Sequence, residues 1–303
     1  MDDLIPVLPE TVALGREHRP QLQRLLSAAA PRVSELTFTN LFMWRHAYGT
    51  RLGRIGEVVC LFCLRADPTE SFLLPPLGSG AGAEHVRAAL AWMAASGHDP
   101  KLARADQREL DRLGLTPAQF TLTPDRDNWD YVYRVPDLID LAGEDYRDKR
   151  RHVDSFTRKF PYEYRRITPD LVPACQALQD LWCDDKHCDL AAGLRAEAEA
   201  VKEVLAGLEE LEVTGGALLV NQRVQAFALG EALSADTVVI HIEKASPDLH
   251  GAFQVINREF LVQEWSQFAF VNREQDLGIP GLREAKESYH PAQMVEKYVV
   301  RLP

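Results

Sequence analysis

No apolar run in this chain approaches a bilayer span. The longest, such as 217–220 and 238–240, are strand-sized, whereas a spanning helix needs about 20 apolar residues. The first residues, Met-Asp-Asp-Leu-Ile-Pro, carry no basic region ahead of an apolar stretch, so no signal peptide is expected and the expected location is cytoplasmic. Cysteine is scarce and odd in number, five in 303 residues, which fits a reducing compartment; Cys60, Cys63, Cys175, Cys183 and Cys188 are read as thiols. Low-complexity tracts are lacking, and 46% hydrophobic with 26% charged residues suits a folded globular chain. Positive charge is in deficit, with a formal net charge of -11, which excludes a whole-surface nucleic-acid binder, and no DNA partner is expected.

At 303 residues the length suits two domains of roughly 150 residues each. The clearest order of elements lies in the second half. Residues 162–167 alternate as a strand, and 171–182 and 194–208 carry apolar residues at helical spacing. Strands follow at 217–220, 224–230 and 237–243, joined by connections short enough for an antiparallel meander. A helix at 249–267, a strand at 268–271, a helix at 280–288 and a strand at 294–302 complete the pattern. A meander followed by β-α-β-α-β resembles the GNAT acyltransferase fold. A looser version spans 36–135, with a helix at 38–48, strands near 51–55, 58–64 and 72–74, a helix at 85–96, and strands near 120–122 and 131–135. The expected fold class is therefore α/β (α+β): two tandem GNAT-like domains with mixed central sheets flanked by helices. Residues 1–145 form a degenerate first copy, 146–160 a basic linker helix and 161–303 the second copy.

Three segments go beyond element order: Phe38–Arg45 (FTNLFMWR), Tyr146–Phe160 (YRDKRRHVDSFTRKF) and Asn272–Pro291 (NREQDLGIPGLREAKESYHP). With them the chain resembles an uncharacterised bacterial family related to the C-terminal domain of phosphatidylglycerol lysyltransferase, a tandem GNAT-like, Fem-like group. The resemblance implies an acyl or aminoacyl transferase. It would move an activated carboxyl group from aminoacyl-tRNA or acyl-coenzyme A onto an amine or hydroxyl of a small-molecule or peptide acceptor. It implies no tightly bound cofactor, and tRNA as a partner. A non-catalytic GNAT-like protein binding an acidic small molecule or peptide is the alternative.

Acyl transfer to an amine needs proton removal, carbonyl polarisation and a cradle for an anionic donor. His241 and Glu243 fall on one face of their strand and are candidate catalytic residues, or ordinary polar groups on a sheet edge. Asn272, Glu274, Asp276, Arg283 and Lys286 gather at one strand-to-helix connection. Glu274 and Asp276 would handle the amine, and Asn272, Arg283 and Lys286 would hold the donor; the bland reading is an acid-base network bracing the loop. Gly251 stands where a GNAT helix N-terminus meets a phosphate, or is a packing glycine. Residues 147–166 hold eight basic and three acidic side chains, among them Lys149, Arg150 and Arg151, which are candidate phosphate or RNA contacts or the solvated face of the linker helix. Cys183 and His187 have a helical i,i+4 spacing with Cys175 and Cys188 near by, but no paired Cys-x-x-Cys, and no metal is expected.

Overall fold

A computed structural model describes residues 4–188 and 192–303. The chain forms two compact units, one of residues 1–130 with 295–303 and the other of 131–294. These limits differ from the contiguous division read from the sequence, because the last strand belongs to the first unit and the basic helix lies inside the second.

The first unit contains β1 (Val12–Ala13), α1 (Arg19–Ala29), α2 (Phe38–Met43), α3 (Arg45–Tyr48), β2 (Thr50–Ile55), β3 (Val58–Cys63), β4 (Phe72–Leu73), α4 (Ala83–Ala95), β5 (Lys101–Asp106), α5 (Gln107–Arg112) and β6 (Thr121–Pro124). The helix expected over 38–48 starts at a Thr37 cap, whose hydroxyl accepts from the Asn40 N–H, and breaks at Trp44. Its seven-stranded sheet runs β1-β2-β3-β4-β5-β14-β6, where β14 (Lys297–Arg301) closes the chain. One helix, α4, connects β4 to β5, and the pair is parallel. Cys60, Phe62, Leu73, Val86, Leu90, Leu102 and Val300 share its core.

The second unit contains β7 (Asp130–Arg134), α6 (Val135–Asp140), α7 (Arg147–Lys159), β8 (Tyr162–Arg166), α8 (Val172–Lys186), α9 (Ala192–Ala206), α10 (Leu208–Leu211), β9 (Thr214–Val220), β10 (Arg223–Ala232), β11 (Thr237–Ala245), α11 (Ala252–Phe260), β12 (Phe270–Asn272), α12 (Pro280–Glu287) and β13 (Gln293–Val295). Its sheet runs β13-β7-β12-β11-β10-β9-β8. Strands β8 to β11 are antiparallel neighbours, and α11 leads to β12, which lies parallel to β11. Both units therefore repeat the GNAT-like order of meander, helix and parallel strand, in mixed sheets flanked by helices. The strand expected over 294–302 is two strands, parted at Glu296, that join different sheets.

Cys183 and Cys188 form a disulfide with Cα atoms 5.0 Å apart, correcting the reading of all five cysteines as thiols. The chain turns back at His187, with φ 52° at the end of α8, and so brings Cys188 onto Cys183. Cys60, Cys63 and Cys175 are free and buried. Among the described residues no helix is long and apolar enough to cross a membrane.

Candidate active site

Strands β11 and β12 pair over only three residues, Thr237↔Phe270 to Val239↔Asn272. Beyond Asn272 the chain turns away: the Asn272 Oδ1 accepts from the Glu274 N–H at 2.8 Å, and Glu274 takes φ 56°. Strand β11 continues to Ala245, so on this side its last residues run beside the turn, while β10 pairs with them on the other. Two polar clusters fill this divergence.

The first is Glu231–His241–Glu274. The fully buried imidazole bonds Glu274 Oε1 through Nδ1 at 2.8 Å and Glu231 Oε1 through Nε2 at 2.9 Å. Burial alone would lower the imidazole pKa, but the hydrogen bonds and charges of Glu231 and Glu274 overcome it and raise it to about 10. At neutral pH the ring is therefore held as an imidazolium, able to donate a proton rather than to take one up. A group whose folded pKa lies above the ordinary imidazole value of about 6.5 contributes stability that is complete below that pH and lost as pH rises through the folded value. Unfolding free energy is expected to fall between about pH 6.5 and 10, by on the order of 5 kcal/mol for a shift of this size. His241→Gln should flatten that slope in urea melts across the window; an unchanged slope would show that the ring is not charged.

The second cluster is Glu243 with Arg273. Arg273 Nη2 donates to Glu243 Oε2 at 2.5 Å, and the Asn257 amide of α11 donates to Glu243 Oε1 at 2.8 Å. His241 and Glu243 share a strand face, as alternation requires, and both reach side chains that follow β12. On the opposite face the buried Lys244 pairs with Glu197 at 2.8 Å and lies 3.4 Å from the Trp182 ring centroid.

Asp276, Arg283 and Lys286 lie in the loop and helix that follow. The fully buried Asp276 carboxylate accepts from Tyr131 Oη at 2.6 Å, the Gly278 N–H at 2.8 Å, and Arg283 Nε and Nη2, both at 2.8 Å. Burial works against its charge, but these donors, Arg283 foremost, hold its pKa well below the usual carboxylate range. Lys286 Nζ donates to the backbone carbonyls of Arg273 and Glu274. Asp276 and Lys286 thus brace the turn that carries Glu274. Removing Arg283 would strip a buried carboxylate of its cation and is expected to destabilise the fold. An open depression of about 480 Å3 is lined by Gly278, Pro280, Arg283, Glu284, Glu287 and Ser288; it includes neither His241 nor Glu243.

Gly251 has φ 93°, and a Cβ there would meet the His152 carbonyl oxygen at 2.8 Å and Phe156 Cβ at 3.2 Å. A side chain at this position would strike helix α7, so packing against that helix calls for a glycine here. Of the three basic candidates on α7, Arg150 donates to the carbonyls of Leu141 and Gly143, and Arg151 is largely exposed beside Asp148. Lys149 turns inward, donating to Ser288 Oγ at 2.7 Å. The three do not form one contact surface. Sequence reasoning missed Glu231 and Arg273. Arg273 stands between two residues that were singled out, and a charged residue directly after a buried strand was the available signal.

The family model of phosphatidylglycerol lysyltransferase, C-terminal, matches residues 27–301. A conserved protein of unknown function from Bacteroides thetaiotaomicron is 32% identical, with a TM-score of 0.87 over 97% of this chain and 99% of that one. The C-terminal domain of a putative lysylphosphatidylglycerol synthetase from Agrobacterium fabrum is 11% identical, with a TM-score of 0.65 over 94% and 91% of the chains. For L-PGS from Bacillus licheniformis the values are 12%, 0.61, 93% and 91%. An uncharacterized protein of Mycoplasmoides gallisepticum is 19% identical over 174 residues, and the match spans 57% of this chain and 56% of that curated relative, about half its length. With the family model covering most of its length, the chain belongs to the family of phosphatidylglycerol lysyltransferase C-terminal domains.

Proposed function

We propose that the protein is an acyl or aminoacyl transferase working at the divergence of β11 and β12. The observation that carries this reading is the concentration there of buried charge, Glu231, His241, Glu243, Arg273 and Glu274, in a family named for aminoacyl transfer. Buried ion pairs add little net stability, so a stretch of five charged side chains in one sheet gap favours chemistry over packing. In this reading the acceptor nitrogen or oxygen attacks the activated carbonyl carbon. Its proton passes to the Glu274 carboxylate, which the His241 imidazolium holds in place. The new bond to carbon forms as the bond to the donor's oxygen or sulfur breaks, and Glu274 returns the proton to that leaving atom. Incubation with charged tRNAs and with acyl-coenzyme A, each offered with a panel of amines and hydroxyl acceptors, tests the proposal; transfer from neither donor sinks it.

One observation favours a second reading, a non-catalytic binder of an acidic small molecule or peptide. Both ring nitrogens of His241 are already bonded, and both oxygens of Glu243 are taken up by Arg273 and Asn257. Ligand-induced thermal stabilisation without turnover would support it.

A further inference from the structure

Two cations converge on one aromatic ring at the edge of this site. Arg273 Cζ lies 4.9 Å from the Tyr289 ring centroid, and Lys149 Nζ lies 4.3 Å from the same centroid. Lys149 donates to Ser288 Oγ at 2.7 Å, and Ser288 borders the open depression on α12. Arg273 spends Nη2 on Glu243, while its Nη1 is buried without a hydrogen-bond partner. The carboxylates near by do not balance the pair. Glu243 is shared between Arg273 and Asn257, and Asp148 is exposed beside Arg151. Burial and the charge of Arg273 accordingly lower the Lys149 pKa, opposed only by Asp148.

The unpartnered Nη1 of a guanidinium and an ammonium, gathered with one shared carboxylate beside a hydroxyl whose own proton goes to the Ala285 carbonyl, form a donor set in need of negative charge. An oxyanion would supply it, and a phosphate, with nearly two negative charges to a carboxylate's one, answers two cations better. We infer that Lys149 and Arg273, beside Ser288, form a binding site for the phosphate group of a ligand whose remainder lies along the depression on α12. Arg283 and Lys286, which the sequence suggested for this task, are committed to Asp276 and to backbone carbonyls. The site deepens the transferase reading but is tested apart from it, since phosphate binding needs no turnover.

The experiment is calorimetric titration of the full chain with inorganic phosphate and with acetate, followed by displacement of bound phosphate by coenzyme A or by a trinucleotide ending in CCA. Phosphate is expected to bind with a dissociation constant of about 1 mM or below, and acetate at least about tenfold more weakly. Lys149→Met should weaken phosphate by about tenfold or more while leaving the melting temperature unchanged or raised, because it removes a repelled cation. Lys149→Arg, which restores the charge, should recover most of the affinity. Displacement by coenzyme A alone assigns the phosphate to an acyl-nucleotide ligand, and displacement by the trinucleotide alone assigns it to RNA; both support the site. No heat at about 10 mM phosphate, equal affinity for acetate, or full phosphate affinity in Lys149→Met would overturn it.

Discussion

Replacing Lys297 by Met is expected to cost the first unit about 3–5 kcal/mol of stability, the range for removing one partner from a buried ion pair. Lys297 is fully buried, and its ammonium meets Glu35 Oε2 at 2.5 Å and Asp130 Oδ1 at 2.7 Å. Asp130 also accepts from the Ser34 N–H at 2.8 Å and the Ser34 hydroxyl at 2.9 Å, and Glu35 faces Arg104 at 3.1 Å. Methionine keeps the apolar stem but leaves two carboxylates under-compensated in the interior. Burial already raises the Glu35 pKa, against the pull of Lys297, and without that cation it rises further. A carboxylate with a raised folded pKa stabilises the fold below its unfolded value and loses that contribution as pH rises through the folded one. The deficit of the variant should therefore be largest at neutral pH and shrink in mild acid. Urea unfolding at two pH values measures both effects. Adding Glu35→Gln and Asp130→Asn to the variant should restore part of the loss, and a deficit under about 1 kcal/mol at pH 7 would mean that the carboxylates find other compensation.

Glu274→Gln is expected to lower turnover about 10²- to 10⁴-fold, the usual contribution of a positioned general base. The substitution keeps an oxygen that accepts from His241 Nδ1 and retains the Asn272 turn, but it leaves the buried imidazolium with Glu231 alone, so the melting temperature should fall as well. Glu231→Gln, on the far side of the ring, should cost less activity, since that carboxylate only holds the imidazolium. Turnover and melting measured on one preparation separate the roles. A destabilised Glu274→Gln protein with normal activity per folded molecule would make Glu274 a brace and remove it from the chemistry.

The meander β9 to β11 and its helix were readable because Val, Ile and Ala alternate between short turns and then give way to a helical period at Phe253, Ile256 and Phe260. Strand β5 was not readable. Lys101-Leu-Ala-Arg-Ala-Asp106 has little β-propensity, and it is a strand because β4 and β14 pair with it on its two sides. Helix α1 was overlooked, although Leu22 and Leu26 mark its buried face. At the candidate site, alternation placed His241 and Glu243 correctly on one face, but no local pattern could disclose that Glu231, ten residues earlier on β10, would close the other side of the imidazole. The charge state of His241 was hidden for the same reason, being set by partners that only the sheet brings together. Arg283 and Lys286 were legible as a cation pair on one helix face. Their targets, a buried carboxylate and two carbonyls, were not.

Strand β14 lies between β5 and β6, and β6 joins the sheet through it. During synthesis this order imposes a delay. Lys297 follows its partner Asp130 by 167 residues, which at about 5–20 residues per second is roughly 10–30 s of translation. Throughout that interval a nascent first unit presents the open edge of β5, whose backbone groups can template pairing with another chain. The amino-terminal unit is therefore completed only once β14, made after the whole of the other unit, has taken its place beside β5.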